Sequence, residues 1–515
     1  MRKNLLLTLI LISSAILASG CDGDKPSNTN SQNSPTLQTT ATLAVTTPAG
    51  WEISKGKIAM GTMENFCSIT TSADQEACPA YNQAADSQSG KNNLLSLFTY
   101  ANGDTSSGIS DNKIQALMNE AKYLNETKHQ PFIPTIVVYT ANLSQGPSLT
   151  EADWSTNLVF CLQNFLKTLV DIENNSYTPL NSSGTIASVL INPDYIMELQ
   201  KVSNNYSPEL LPYIDGSIDI DMQSALKDPN IASYLKTLGI TAPIPPQVTN
   251  DFNGYNYFLN WVMHNVKNIS YAWVANSSGN QQYGHQYIQN ARYGTPTDDW
   301  FPDAKTLTGQ IQSNINFLKA HNILNTADPV LTPSFMAFDK YGADEFGADQ
   351  SLNYTQQYSL YNATDWNASL TLMKGISQGL PIMLWQIPGG HIQNDGITST
   401  YNTDGDYDYQ YFFGDTRLEN LVSYGSPIHG AAHGGYEIDT DQSILDFLKM
   451  PVGDATNQPY SLAQDNTDSL INDGVFAIMW GATNAAVGVI NVDGTSPSAS
   501  NQWLINRINQ YYQTH

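Results

Sequence analysis

The stretch Pro381-Ile382-Met383-Leu384-Trp385-Gln386 is short and apolar, ends in an indole and an amide, and is followed by the turn residues Pro388, Gly389 and Gly390. It is one of eight short β-branched and apolar runs, most ending in a polar or aromatic residue before a turn; the others are 57–60, Leu94–Tyr100, Thr135–Thr140, Ala187–Ile191, Ile269–Val274, Ser334–Asp339 and Val475–Trp480. Helical patterns lie between several of them. A βα unit repeated about eight times predicts a single (β/α)8 barrel, an α/β fold, with an open α/β sheet as the competing arrangement. In such barrels the chemistry gathers at the C-terminal ends of the strands. The residues there are Glu64, Asp104, Asn142, Asp194, Asn276, Asp339, Gln386 and Asn484.

The intervening helices follow from apolar spacing. Ile114, Leu117, Met118 and Ala121 share one face of a helix expected over Ser110–Leu124, with Ser110 or Asp111 as its cap. Leu158, Leu162, Phe165, Leu166 and Leu169 make 150–173 strongly amphipathic. Further helices are expected over Asp251–Val266, Asp303–His321, from Asp365 (capped by Thr364 or Asp365) and over Gln502–Tyr512. About ninety residues separate the seventh run from the eighth. Insertions of that size are tolerated after barrel strands because the active face is built from them.

Composition narrows the function. The chain has 515 residues, of which 41% are hydrophobic and only 13% charged, so a large core is possible and the surface must be mostly uncharged polar. The formal net charge of −25 repels phosphate backbones, which excludes nucleic acid as a natural partner and suits neutral ligands. No nucleophile elbow, P-loop or dinucleotide fingerprint occurs, and no cofactor is expected.

Residues 1–20 read as a signal peptide, with Arg2 and Lys3 before an apolar run from Leu5 to Leu17. Ala18, Ser19 and Gly20 precede Cys21 in a pattern that resembles a bacterial lipobox, which implies lipidation at Cys21; simple cleavage after Gly20 is the alternative. Residues 21–49, rich in Ser, Thr, Asn, Gln and Pro, read as a flexible tether, and 50–515 as the barrel domain. The expected location is therefore the bacterial cell envelope, by a lipid anchor, or else a secreted or periplasmic one. Cys67 and Cys78 close a short loop and are expected to pair as a disulfide in an oxidising compartment, whereas Cys161 reads as a buried thiol.

Several rim residues have chemistry that packing does not demand. Asp339 ends the sixth run, with Lys340, Tyr341, Asp344 and Glu345 behind it. Asp194 follows the fourth run in Asn192-Pro193-Asp194-Tyr195. Strands four and six lie two apart in an eight-membered ring, so the two carboxylates can face each other, as glycoside hydrolysis requires. Trp385 offers a flat face for a sugar ring and Gln386 a donor and an acceptor, with His391 brought over the rim by the turn; Trp273, Asn276, Tyr341 and Glu64 are further sugar contacts. Each of these residues also has a packing or capping explanation.

The strings Asn192-Pro193-Asp194-Tyr195, 338–344 and 384–391, together with the eight-unit order, resemble glycoside-hydrolase-type (β/α)8 barrels of secreted bacterial proteins over roughly 50–512. The resemblance implies a carbohydrate-active enzyme working on a neutral poly- or oligosaccharide; the rim position of Asp194 and Asp339 makes them the expected catalytic pair, neither being assigned as acid or base, and a monomer is expected. It does not carry over the Asn-Glu pair of many retaining enzymes, since Asp194 and Gln386 stand where two glutamates would be. The Pro193-Asp194 pair resembles inverting cellulases over too few residues to transfer a mechanism. The segment 215–223 is similar to the chitinase signature, but Ser217 is inserted and Gln223 replaces the acid, so it reads as an insertion loop. Asp404, Asp406, Asp408 and Asp415 alternate as in a calcium loop, yet Tyr409 occupies the place of the turn glycine. His429 and His433 have i, i+4 spacing among glycines, with Glu437 beyond; with His391 they would make a metal-dependent hydrolase the alternative. A non-catalytic polysaccharide-binding barrel is the other alternative.

Overall fold

A computed structural model describes residues 46–65, 93–102, 111–140, 151–196, 199–200, 220–276, 307–339, 362–387, 408–414, 416, 431–433, 436–438, 449, 458–481, 489–491 and 499–515. The eight runs form β1 (Ala59–Asn65), β2 (Ser96–Asn102), β3 (Thr135–Tyr139), β4 (Ala187–Ile191), β5 (Ile269–Asn276), β6 (Phe335–Asp339), β7 (Ile382–Ile387) and β10 (Val475–Trp480). Each pairs in parallel with its neighbour, and β10 returns to pair with β1 (Ala59 with Ala477, Thr62 with Trp480), which closes the ring. The (β/α)8 barrel is thus the fold, and the open sheet is excluded. A short parallel strand, β11 (Val489–Asn491), extends the edge of β1, and β8 (Ala431–His433) and β9 (Tyr436–Ile438) make a separate antiparallel hairpin.

Helices cover the ring's outside. The observed spans are Asp111–Lys122, Glu151–Asn174, Phe252–Asn265, Leu307–Ala320, Ala363–Ile376 and Ala499–Thr514, with shorter helices at Pro229–Thr237 and elsewhere. Asp251 caps the third of these by accepting from Gly254 N at 2.7 Å. The helix expected to start near Asp365 starts at Ala363, because Asn362 supplies the cap and accepts from Thr364 N at 3.0 Å. Its side chain reaches the amide two residues on, which Thr364 or Asp365 could not do for that turn.

Strand alternation sorts side chains into two cores. Leu97, Ile136, Val189 and Trp273 belong to the outer core beneath the helices, whereas Phe98, Val137, Leu190 and Ala272 fill the lumen. Polar hydroxyls occur low in the lumen, paired across strands: Ser96 with Thr135 (2.9 Å) and Ser188 with Ser270 (2.7 Å). Trp51, in a 3-10 turn ahead of β1, plugs this end; its indole N–H donates to Ser188 Oγ at 2.9 Å and its ring meets Phe476 edge-on at 5.3 Å. The last helix seals the seam. Tyr511 Oη accepts from Ile58 N, and Tyr512 Oη accepts from Met60 N, both at 2.9 Å, while Lys57 Nζ donates to the Tyr512 carbonyl at 2.9 Å.

His321, just past the helix Leu307–Ala320, gives the fold an acid sensitivity. Burial holds its pKa down near 4, against a partial opposing pull from Asp251, and its Nδ1 lies 2.9 Å from Asn253 Oδ1. The unfolded chain binds a proton here below about pH 6.5, and the native chain refuses it until near pH 4. Stability present above that window is therefore lost as pH falls through it, by up to about 3 kcal/mol. Urea unfolding at pH 7 and pH 4 should show a smaller acid loss in His321→Gln than in the wild type. An equal loss in both proteins would assign it to other groups.

Candidate functional site

The C-terminal mouth of the barrel holds the polar residues. Asp339 is the last residue of β6 and follows Phe335 and Ala337 in the inward-facing register, which turns its carboxylate into the lumen; it is only 3% exposed. Its neighbour on β7 is set by an irregularity. Ile478 pairs with Leu384 but Trp480 pairs with Ile387, so β7 carries one more residue than β10 over this interval. Gln386 sits in the extra step with φ +53°, a left-handed backbone, and Ile387 returns to the outer core. The bulge lets Trp385 and Gln386 both serve the lumen side. With the amide oriented by its neighbours, Nε2 donates to Asp339 Oδ1 (3.1 Å) and Oδ2 (3.2 Å), and Oε1 accepts from the Tyr100 hydroxyl. Tyr100 stacks near-parallel on Tyr139 of the next strand at 6.3 Å, and both rings are half-buried.

Asp194 occupies the turn after β4, half-buried on the same rim, with β5 between it and Asp339. The turn is wound tightly: Asn192 has φ +51° and Asp194 φ +66°, on either side of Pro193. Asn192 is held by the end of β3, its Oδ1 accepting from Thr140 N at 2.6 Å and Thr140 Oγ1 at 3.0 Å. Tyr255, reaching in from the helix Phe252–Asn265, donates to the Thr140 carbonyl at 2.7 Å. Burial raises the Tyr255 pKa far above the usual tyrosine value, so the phenol keeps the proton that it donates. Of the nine non-glycine residues with positive φ among the described residues, Asn192, Asp194 and Gln386 are the ones at the C-terminal ends of barrel strands; the other six belong to helix ends and turns.

Two expected sugar contacts are placed elsewhere. Trp273 faces the helices, not the lumen: Ser270, Ala272 and Val274 take the inward positions of β5, and the outward indole donates to Asn260 Oδ1 at 2.9 Å and stacks on Tyr195 at 5.9 Å. Its role is packing, because the strand alternation gives it no route to the mouth. Trp385 does face the lumen, but it is fully buried, with its ring edges against Phe98 (5.9 Å) and Tyr100 (6.1 Å). It supports the floor of the mouth and presents no open face. Among the described residues, Tyr100 and Tyr139 are half-buried aromatics at the mouth, neither of them singled out above. The alternation Ser96, Phe98, Tyr100 along β2 was the available signal.

Glu64 and Asn276 lie at the C-terminal ends of β1 and β5, where Asn276 pairs in register with Asp339. Tyr341, His391, Cys21, Cys67, Cys78, Asp104, Asn142, Asn484 and His429 fall outside the described residues, as do Asp404, Asp406 and Asp415. His433 lies on β8, a strand, so the i, i+4 spacing from His429 is not that of one helix face; Glu437 lies opposite Ala432 on β9. Among the described residues no group of three or more His, Cys, Asp or Glu is placed to hold a metal ion. Gln223 lies in a short helix (Met222–Ala225) between β4 and β5 and donates to the Val248 carbonyl at 2.7 Å, while 215–219 fall outside the described residues. Cys161 is buried and forms no disulfide. No described helix is long and apolar enough to cross a membrane.

No family model matches the chain, and no curated protein matches it. Among solved structures, the catalytic domain of Cellulomonas fimi Cel6B is similar at 10% identity and a TM-score of 0.33, over 89% of this chain and 95% of that one.

Proposed function

We infer that this protein is a carbohydrate-active enzyme that hydrolyses glycosidic bonds at the C-terminal mouth of its barrel, with Asp194 and Asp339 as the working carboxylates. The observation that carries the reading is Asp339 itself. A carboxylate 3% exposed inside a barrel mouth, gripped by an amide from a strand bulge, is costly to bury and is not needed to pack the lumen. Asp194 stands on the same rim, on a turn held left-handed at both Asn192 and Asp194. Hydrolysis of an acetal needs one group to protonate the departing oxygen and another to take the proton from water or to attack the anomeric carbon. Two carboxyl groups on one rim meet that need without a cofactor. Neutral polysaccharide suits the acidic, lightly charged surface, and a lipid at Cys21 with a tether over 21–49 would hold the barrel at a cell envelope.

The test is a panel of neutral polysaccharides with the wild type, Asp194→Asn and Asp339→Asn. Each substitution should lower kcat by about 10²-fold or more, the usual contribution of a positioned acid or base. Turnover unchanged in both variants sinks the assignment. A second reading, a polysaccharide-binding barrel without catalysis, is favoured by the Tyr100–Tyr139 stack, since two near-parallel rings can carry a sugar face without chemistry. Wild-type binding with no turnover, unaltered in both Asn variants, would select it.

A further inference from the structure

Gln386 has the character of an internal fitting more than of a ligand contact. It is only 5% exposed, and its amide nitrogen faces both oxygens of Asp339 while its amide oxygen faces Tyr100. Its backbone is left-handed, a conformation disfavoured for a residue with a side chain. Glycine would relieve that cost, yet a glutamine stands there. A packing role does not account for it, because an aliphatic residue fills space as well without needing two polar partners. The residue is thus held in a strained position where its amide, and only a group of that shape, reaches the carboxylate and the phenol together.

We propose that Gln386 is a positioning residue for Asp339: the bulge in β7 exists to aim its amide N–H groups at the carboxylate, and the Tyr100 hydroxyl fixes which way round that amide stands. The clamp orients Asp339 so that its oxygens accept hydrogen bonds, and so suits it to a proton-accepting or hydroxyl-binding part and not to delivering a proton. Its catalytic consequence rests on the glycosidase reading above; its existence does not. An amide is a symmetric-looking group whose two ends are chemically opposite. The phenol, a donor toward Oε1, selects the orientation that turns the N–H groups to Asp339. Remove the phenol's proton and one of the two groups that select that orientation is lost, the acceptor-only carboxylate being the other. Remove the amide and the carboxylate loses a donor nitrogen, shared between its two oxygens, that favours its charged form.

The experiment uses the full-length protein with aspartate carboxyl carbons labelled with ¹³C, the Asp339 signal being identified by its loss in Asp339→Asn. Gln386→Gly deletes the clamp at a position whose backbone glycine adopts without strain, so the variant has reason to fold; Tyr100→Phe removes only the hydroxyl. The Asp339 signal should titrate at higher pH in Gln386→Gly than in the wild type, by about tenfold in proton concentration, and in the same direction by less in Tyr100→Phe. On any polysaccharide the wild type hydrolyses, Gln386→Gly should lower kcat about tenfold or more with KM changed less than about twofold, and move the acid limb of the pH profile upward. An Asp339 signal that titrates as in the wild type overturns the inference, whatever the activity. A shifted signal in a protein that hydrolyses nothing on the panel leaves the clamp standing and removes the glycosidase reading instead.

Discussion

Gly61→Val is expected to destabilise the barrel by more than about 3 kcal/mol, beyond the usual range for overpacking a core. Gly61 lies on β1 and faces the lumen. A Cβ built there would come within 2.5 Å of Met479 Sδ, 2.6 Å of Met479 Cε and 2.8 Å of the Ser96 carbonyl oxygen. The thioether can swing aside at modest cost, since methionine is unbranched and adapts to irregular space. The carbonyl cannot, because Ser96 is paired in register with Gly61 across β1 and β2. Relief would require parting two strands of a closed ring, which strains every other pairing in it. Gly61→Ala should cost less, about 1–3 kcal/mol. The double variant Gly61→Ala/Met479→Ala separates the two obstacles: if the cycle shows Met479 to be the whole of the Gly61→Ala cost, the backbone argument is wrong. Urea unfolding with an unchanged slope is the readout.

Trp51→Ala should cost about 3–5 kcal/mol, the range found when a large buried aromatic is truncated. The indole is fully buried and closes the lumen end opposite the proposed site. Three losses coincide. A cavity opens against Phe476, the hydrogen bond to Ser188 disappears, and the Ser188–Ser270 hydroxyl pair is left beside the void. Trp51→Phe keeps most of the apolar contact and removes the donor, and should cost about 1–2 kcal/mol. Because Trp51 lies far from the mouth along the barrel axis, any activity should be unaltered wherever the variant remains folded. A variant as stable as the wild type would mean that the plug contributes little to the core.

Strand identities were legible because buried parallel strands are continuous apolar runs; Ala187–Ile191 and Val475–Trp480 match the observed strands residue for residue. The first run was placed too early, at 57–60 against Ala59–Asn65, since Gly61, Thr62 and Glu64 weaken the apolar signal where the strand needs a small residue and a polar mouth. Three-residue strands such as Ala431–His433 have too little pattern to be seen among glycines. At the barrel mouth, the rim positions of Asp194 and Asp339 were legible from their place after apolar runs, but side-chain direction was not. Trp273 could have been turned outward by counting from Ser270, Ala272 and Val274 in steps of two. Gln386 could not have been placed, because its direction depends on a bulge defined by the partner strand. Trp51 precedes the first run and carries no periodicity; only the finished ring shows what it closes.

The bond from Thr62 Oγ1 to the Trp480 carbonyl joins positions 418 apart in sequence. A chain emerging from a ribosome therefore cannot complete its seam until nearly all of the barrel sequence has been made, and β1 must wait unpaired on one side throughout. Contacts of such separation make folding slow and leave an open edge exposed in the meantime. The same neighbourhood of Lys57 and Tyr512 offers a remedy by design: joining these two regions with a short linker and opening the chain at a surface turn elsewhere would let the seam strands be synthesised together.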